Sequence, residues 1–302
     1  MLCVLPTTAS TQVSTNAQPG LFHRKVLAED GTGLGVYQST AVAPQVVFVN
    51  PAAMDHRYWL GVASLLARDI SVMFLDQRGS GSSMDSTTPA PTGSDLCAVL
   101  AAVGADATVL VAQDRDMAST LAAALEAPER VGHVVALDPL LSEFMDKDSP
   151  WKLDAAVEIG RRRLKENMAR SVVAAAPLGQ AVVLAVEGED GTEEVRSFVD
   201  SQYSGSSDVT KTLLADMLWS QLRNHRGRQR TTFPVVVGRL AEIEAAVTMG
   251  RIEKDALLDL VADELSRRLP RATVVRLEYG PPPVSLEAPE GVARLISEAI
   301  EA

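Results

Sequence analysis

The segment Ala112-Gln113-Asp114-Arg115-Asp116 joins an apolar run to a segment with helical spacing. The run Ala107–Ala112 predicts a buried strand, and Met117–Ala127 predicts a helix. A tight turn between a strand and a helix presents its central side chain at the carboxyl end of a parallel sheet, where α/β proteins place their chemistry. The central side chain is Asp114, whose carboxylate can attack, accept a proton or accept a hydrogen bond. The alternative is an ordinary turn with a polar helix cap.

Strands and helices alternate on both sides of this turn. Continuous apolar runs predict strands that are buried on both faces, and a hairpin precedes them in the chain. The alternation predicts an α/β fold with a mostly parallel, doubly wound sheet. The predicted strands besides the one before Asp114 are Leu21–Ala28, Gly35–Ser39, Gln45–Val49, Ser71–Leu75, Val131–Leu137, Phe233–Gly238 and Ala272–Leu277. Three helices are predicted after Asp114 in the part of the chain that forms the sheet. They are Met117–Ala127, Glu253–Arg268 and Gly291–Ala302.

The pattern changes between residues 141 and 230, where only Ala181–Val186 is an apolar run of strand length. Amphipathic helical spacing predicts helices over Leu153–Met168, Thr192–Tyr203 and Thr210–Asn224. We therefore divide the chain into three parts. Residues 1–20 are a flexible N-terminal arm, residues 21–140 and 231–302 form the core, and residues 141–230 form a helical lid.

The composition of the chain argues against several classes of binding partner. A net charge of −11 over 302 residues argues against a nucleic-acid surface, and the basic cluster Arg223–Arg230 is interpreted as a solvated helix end. No apolar run is long enough to span a membrane, and the N-terminal residues lack the basic start and apolar core of a signal peptide. We expect a cytoplasmic protein. Two distant cysteines and four scattered histidines predict no disulfide framework and no metal site.

Two further segments carry a resemblance to a known family. Asp76-Gln77-Arg78-Gly79-Ser80-Gly81-Ser82-Ser83 is similar to the D-x-R-G-x-G-x-S loop of the α/β-hydrolase superfamily, and Leu286–Glu290 is similar to its E-x-P-E segment. Trp59 also stands where members often have a tryptophan. The resemblance covers about residues 21–302 and implies a twisted sheet flanked by helices, with a helical lid between the sixth and seventh strands. It makes Asp114 the residue of the nucleophile elbow, and Arg78 a tie between loops.

The family's catalytic histidine has no counterpart in the matching segment. Hydrolases of this fold activate a nucleophile with a histidine held by an acid. The matching positions are Pro281 or Pro282, and proline neither accepts nor donates a proton. The acid's G-x-x-D context matches Gly238–Ala241, with Glu242 next to it, while some members keep the acid at the position of Asp138. The resemblance therefore implies an incomplete triad.

The oxyanion loop and the elbow also depart from the family pattern. Asn50-Pro51 replaces the His-Gly pair of the oxyanion loop, although the N–H of Ala52 could still point inward. At the elbow, Asp116 replaces a glycine that close helix–strand packing requires. We therefore expect a relaxed turn.

Three interpretations of Asp114 follow. Haloalkane dehalogenases and epoxide hydrolases use an elbow aspartate as nucleophile, but without a histidine their ester intermediate would not be hydrolysed. A non-covalent role as base or orienting group suits cyclisation, carbon–carbon bond-forming addition, isomerisation or elimination, for which proximity alone lowers the barrier by about 7–11 kcal/mol in the best cases. The third is a pseudoenzyme that binds a ligand or partner. We favour the second, a cofactor-independent, non-hydrolytic enzyme acting on a hydrophobic polycyclic or polyketide-like natural-product intermediate.

The candidate catalytic residues are Asp114 and His56, the latter as a substitute proton carrier. More often such a histidine caps a helix or faces solvent. The candidate substrate-binding residues are polar groups near the predicted mouth, with one tryptophan of the lid. They are Asn50, Ala52, Gln113, Arg115, Asp138 and Trp219. Arg115 could instead pair with Asp116 or Asp138, and Trp219 could belong to the lid core. A lid with apolar helices leaves room for a homodimer.

Overall fold

The computed structural model describes residues 20–51, 54–83, 93–159, 181, 184–185, 187–223, 237–251, 256–277 and 284–302. Eight strands lie within these ranges. They are β1 (Phe22–Leu27), β2 (Gly33–Gln38), β3 (Val46–Val49), β4 (Val72–Leu75), β5 (Thr108–Gln113), β6 (Val131–Leu137), β7 (Ala246–Arg251) and β8 (Ala272–Arg276). They form one sheet in the order β1-β2-β4-β3-β5-β6-β7-β8. The predicted α/β sheet is confirmed.

The helices follow the strands as the alternation predicts. No helix of the described ranges is both long and apolar enough to cross a bilayer. The α-helices are α1 (Leu60–Ala63), α2 (Ser94–Ala102), α3 (Met117–Glu126), α4 (Thr192–Gln202), α5 (Asp208–Arg223), α6 (Ala256–Arg268), α7 (Val284–Glu287) and α8 (Pro289–Glu301). The 3₁₀ segments are His56–Trp59, Gly81–Ser83, Asp114–Asp116, Pro128–Arg130, Ser142–Phe144 and Val237–Glu242.

The strand pairing determines which residues share an edge. β1 pairs antiparallel with β2, and β2 pairs antiparallel with β4. All pairs from β4 to β8 are parallel. Since parallel strands run in one direction, the residues that follow β3 to β8 lie at one edge of the sheet. This edge is where the turn at Asp114 is found.

The two faces of the sheet bury separate cores, because successive side chains of a strand point to opposite faces. Leu110 and Val134 belong to one cluster of buried residues. Their neighbours Val111 and Val135 belong to the cluster on the other face, with α8. The continuous apolar runs of the sequence reflect this burial on both sides.

The described residues of the segment 141–230 include α4 and α5, which pack against each other. Their bounds agree with the predicted helices Thr192–Tyr203 and Thr210–Asn224 to within two residues. The described residues of the run Ala181–Val186 are helical, so this run is not a strand. Two contacts join this segment to the rest of the chain: Arg57 pairs with Asp216, and the backbone N–H of Ser207 donates to Glu287 Oε1 at 2.8 Å. The division into core and lid stays a prediction.

One predicted strand, Phe233–Gly238, is not found at its two described residues, and another strand was missed. Val237 and Gly238 lie in a 3₁₀ segment instead of a strand, and residues 231–236 lie outside the described residues. The seventh strand is β7, whose surroundings are rich in Ala and Glu and therefore favour a helix by intrinsic propensity. Pairing with β6 and β8 on both sides overrides that propensity.

The loop after β4 ties neighbouring segments together, as the resemblance implied. The Arg78 guanidinium donates to Asp95 of α2, to both carboxylate oxygens of Asp30 and to Thr32 Oγ1, with distances from 2.5 to 2.9 Å. Asp30 and Thr32 belong to the turn between β1 and β2. Arg78 thus fastens the antiparallel hairpin to the parallel part of the fold.

We expect Arg78→Ala to lower the free energy of unfolding by about 1–3 kcal/mol, because a partly buried guanidinium with several charged hydrogen bonds is lost. Arg239→Ala is the matched control, since Arg239 pairs with Glu242 on the open surface and its removal should change nothing measurable. Urea denaturation of both variants tests this. Equal effects of the two substitutions would contradict the role of Arg78.

Candidate active site

Four polar residues stand at the carboxyl ends of four neighbouring strands. Asn50 follows β3, Asp114 follows β5, Asp138 follows β6, and Arg251 is the last residue of β7. These strands are adjacent in the sheet order, at a spacing of about 4.8 Å between neighbours. The sheet therefore gathers a carboxamide, two carboxylates and a guanidinium along one edge.

The turn at Asp114 has the strained backbone of a nucleophile elbow. The φ angle of Asp114 is +55°, in the left-handed region that is unfavourable for most residues and tolerated best by Asn and Asp. A 3₁₀ turn, Asp114–Asp116, then leads directly into α3. The expectation of a relaxed turn is wrong, because the Asp116 carboxylate has a specific place: it is buried and accepts a hydrogen bond from Gln77 Nε2 at 2.7 Å.

The Asp114 side chain is open to solvent at the sheet edge. The protein atoms around it nevertheless remove enough water to raise the pKa of its carboxyl, and the negative charge of Asp138 adds to this rise. Arg115 acts in the opposite direction, through its charge and its backbone hydrogen bond. A carboxylate with a raised pKa is a stronger base than an ordinary aspartate.

Asp138 faces a buried guanidinium. Its φ angle is +43°, and its N–H donates to the Gly250 carbonyl at 2.8 Å. Arg251 is 2% exposed; its Nε lies 3.6 Å from Asp138 Oδ1, and its Nη1 donates to Asp259 at 2.7 Å. Asp138 thus interacts with Arg251 across the β6–β7 pair. The sequence did not predict this contact, because Ala246–Arg251 was not recognised as a strand.

Arg115 is exposed, and among the described residues it forms no ion pair, so the predicted pairing with Asp116 or Asp138 is not found. Its positive charge nevertheless acts on the neighbouring Asp114, where it opposes the rise in pKa. Glu242 lies elsewhere: it pairs with Arg239 on the surface, and hydrogen bonds from Arg239 lower the pKa of Glu242. This position gives no support to Glu242 as a replacement for the acid.

Asn50 takes part in a buried polar cluster instead of standing free. Its Nδ2 donates to Asp76 Oδ1 at 2.6 Å, and its Oδ1 has no hydrogen-bond partner in the described part of the chain. Asp76 also accepts from the His56 N–H at 3.0 Å and from Ser82, through its N–H at 2.7 Å and its hydroxyl at 3.1 Å. Burial raises the pKa of Asp76 to about 7, while the hydrogen bonds from Ser82 and His56 limit that rise.

The His56 ring is separated from Asp114. It stacks on Tyr37 of β2, with ring centroids 3.7 Å apart, and burial lowers its pKa to about 4. In the sheet order β4 and β3 lie between β2 and β5, which places β2 and β5 about 14 Å apart. No described contact joins His56 to Asp114, so the geometry does not support His56 as its proton carrier.

Besides Arg251, two residues of the site were not predicted from the sequence. The Tyr58 hydroxyl donates to Gln113 Oε1 at 2.7 Å, and the Ser285 hydroxyl lies 3.3 Å from the same oxygen. Both are buried side chains. Since Tyr58 and Ser285 are 55 and 172 residues from Gln113 and belong to no motif, no local signal could have found them.

The remaining candidates are placed as follows. Trp219 is 9% exposed, and a Cβ on Gly191 would lie 2.9 Å from its ring, so it packs within the lid segment as the alternative interpretation had it. Ala52 and Pro281–Pro283 lie outside the described residues. Within the described ranges, no group of three His, Cys, Asp or Glu side chains could hold a metal.

The strand order and the left-handed elbow define an α/β-hydrolase fold. The model of the alpha/beta hydrolase family matches residues 46–295, and the chain belongs to this family. Members of this family are usually enzymes. A comparison with curated protein sequences gave no match.

Solved structures of the same fold resemble the chain over most of its length. An alpha/beta hydrolase from Sphaerobacter thermophilus is 20% identical with a TM-score of 0.55, and covers 91% of this chain and 99% of its own. The carboxylesterase CesB from Bacillus subtilis is 14% identical with a TM-score of 0.63, covering 94% and 92%. A loop variant of a haloalkane dehalogenase from Bradyrhizobium elkanii is 18% identical with a TM-score of 0.60, covering 93% and 96%. At these identities the likeness establishes the fold alone.

We expect the stability of the protein to depend on pH through Asp76. Since folding raises the pKa of Asp76 from 3.8 to about 7, its neutral form stabilises the fold at low pH and this contribution is lost as the pH rises through about 7. Asp76→Asn stays neutral. Relative to the wild type, the variant should therefore gain stability between about pH 4 and pH 7, by up to about 1.4 kcal/mol per pH unit, with no further gain above that.

Urea denaturation at several pH values measures this difference. Asp263→Asn is the control, since Asp263 is exposed on α6 and the variant should differ from the wild type by a constant amount. A constant difference for Asp76→Asn as well would show that Asp76 is ionised throughout.

We expect Asp114→Gly to raise the free energy of unfolding by about 0.5–1 kcal/mol, because glycine relieves the left-handed backbone. Ala107→Gly, at a φ of +45° before β5, should stabilise as well. Ala101→Gly, at an exposed position of α2, should instead destabilise by about 1 kcal/mol. Thermal and urea denaturation measure all three. A destabilised Asp114→Gly protein would mean that the Asp114 side chain holds the turn together.

Proposed function

We propose that this protein is a cofactor-independent, non-hydrolytic enzyme in which Asp114 is the acid–base group. The reactions that this chemistry suits are cyclisation, carbon–carbon bond-forming addition, isomerisation and elimination. The substrate would be a hydrophobic small molecule, of the polycyclic or polyketide-like type found in natural-product pathways.

The observation that carries the proposal is the state of Asp114. Its backbone keeps the left-handed elbow conformation, its side chain reaches solvent at the carboxyl edge of the sheet, and its pKa is raised. A strained backbone at Asp114, together with a perturbed pKa at the elbow position of the fold, supports chemistry at this residue. Charged neighbours, Arg115 and the Asp138–Arg251 pair, also favour a reaction site over a purely apolar binding site.

The sequence supports a non-hydrolytic reaction. The positions that match the family's histidine are prolines, and the described residues contain no histidine in contact with Asp114. An ester formed on Asp114 would then have no base to activate the water that hydrolyses it. Proton transfer to and from a bound substrate needs no such base.

Aromatic side chains near the site support a hydrophobic substrate. Tyr58 is buried beside Gln113. Tyr203 lies near Tyr58, since the charge of an ionised Tyr203 contributes to the raised pKa of Tyr58. Tyr203 directly follows α4 of the predicted lid. Aromatic side chains together with a small number of precisely placed polar groups are typical of sites for hydrophobic small molecules.

The test is intact-protein mass spectrometry after exposure to activated esters, epoxides and alkyl halides. We expect no adduct on the wild type, since a non-covalent base forms none. Asp114→Asn serves to locate any adduct, and Asp263→Asn is the matched control at an exposed surface position. An adduct on the wild type and on Asp263→Asn, but not on Asp114→Asn, would revive the dehalogenase-like mechanism and overturn the proposal.

Thermal-shift measurements with polycyclic ketones and phenols complete the test. A bound ligand at about 100 times its dissociation constant stabilises the fold by about 2.7 kcal/mol. We expect such stabilisation, with conversion of the ligand by the wild type and none by Asp114→Asn. Stabilisation without conversion of any ligand would identify a binding protein on a hydrolase scaffold.

A further inference from the structure

The amide of Gln113 has a fixed orientation. Burial raises the pKa of Tyr58 far above its usual value, so its hydroxyl stays protonated. A protonated phenol has one proton to donate, and Tyr58 donates it to Gln113 Oε1 at 2.7 Å. The Ser285 hydroxyl lies on the same oxygen at 3.3 Å. Two hydroxyl groups thus hold the amide oxygen, which leaves the amide nitrogen on the other side.

The amide nitrogen has no hydrogen-bond partner within the described ranges. Among the described residues, no group accepts a hydrogen bond from Gln113 Nε2, although the side chain is half-buried. The nitrogen is not buried, so a bound ligand can accept its hydrogen bond in place of water. Gln113 is the last residue of β5 and directly precedes Asp114, so the free donor sits on a rigid strand next to the proposed base.

We propose that Gln113 binds a ketone substrate, donating from Nε2 to the carbonyl oxygen while Asp114 removes a proton from the adjacent carbon. This inference rests on the function proposed above and gives its substrate class. Tyr58 and Ser285 are positioning residues that act through the amide of Gln113.

The step balances without any co-reactant. The Asp114 carboxylate takes the α-proton, the C–H electron pair forms the enolate double bond, and the carbonyl π electrons move to the oxygen. There the Nε2–H bond stabilises the negative charge, as a preorganised donor in an oxyanion hole does. The enolate carbon can then add to a second carbonyl of the same molecule, and the new alkoxide takes the proton back from Asp114. The product is an isomer of the substrate.

Hydrogen–deuterium exchange tests the first half of this step without knowledge of the natural substrate. The probes are 2-tetralone and anthrone in D₂O under nitrogen, with exchange of the α-protons followed by NMR. We expect the wild type to accelerate exchange over buffer, and Asp114→Asn to abolish the acceleration. Gln113→Met removes the donor at similar size, and should lower kcat for exchange by about 100-fold with a much smaller change in KM.

Two variants separate a catalytic role from a structural one. Gln45→Met makes the same change at the opposite end of the sheet, where Gln45 Oε1 accepts from the Ser71 N–H at 3.1 Å, and should exchange like the wild type. Tyr58→Phe keeps the Gln113 amide but frees its orientation. It should lower kcat by about 10-fold, less than Gln113→Met does, with an unchanged KM.

The outcomes distinguish this inference from the proposed function. If the wild type accelerates exchange and Asp114→Asn does not, while Gln113→Met keeps the wild-type kcat, the role of Gln113 is overturned and that of Asp114 stands. If the wild type does not accelerate exchange of either ketone, both the ketone substrate class and the role of Gln113 are overturned. The adduct and thermal-shift experiments then decide the proposed function separately.

Discussion

The parallel pairing of β3 to β8 is the constraint on which the site depends. Parallel strands need crossover helices, so each strand ends at the same edge and each following residue begins a loop there. Asn50, Asp114, Asp138 and Arg251 are far apart in the chain, and only this pairing brings them into one row. The same pairing buries both faces of the sheet, which leaves the edge as the place where polar groups can meet a ligand.

Polar contacts at this edge link the ends of neighbouring strands to one another. Gln77 donates to the Asn50 carbonyl and to the Asp116 carboxylate, both at 2.7 Å, and so joins the ends of β3, β4 and β5. Gln113 joins the end of β5 to Tyr58 and Ser285 in the same way. Amides suit this role because they donate and accept without a charge to desolvate. The strained φ of Asp114 is held by this surrounding framework.

The ionisable side chains at this edge differ in their exposure to solvent. Asp76 and Arg251 are both buried. Asp76 accepts several hydrogen bonds, including one from the Ser82 N–H, and Arg251 pairs with the Asp259 carboxylate. Asp114 keeps access to solvent, and its raised pKa comes from partial desolvation and from Asp138. A group that is both accessible and perturbed can exchange protons with a ligand, whereas a buried and matched group mainly holds the architecture. This contrast is the physical basis of the proposal that Asp114 carries the chemistry.

The sequence by itself determined the fold class, seven of the eight strands to within about two residues, and Asp114 as the elbow residue. These depend on apolar periodicity and on short motifs, which are local signals. Only the tertiary structure decided that β7 is a strand, since its pairing overrides a helical propensity, and that His56 and Glu242 lie away from Asp114. The hydroxyls on Gln113 and the guanidinium beside Asp138 were likewise invisible in the sequence, because contacts between distant residues leave no local pattern.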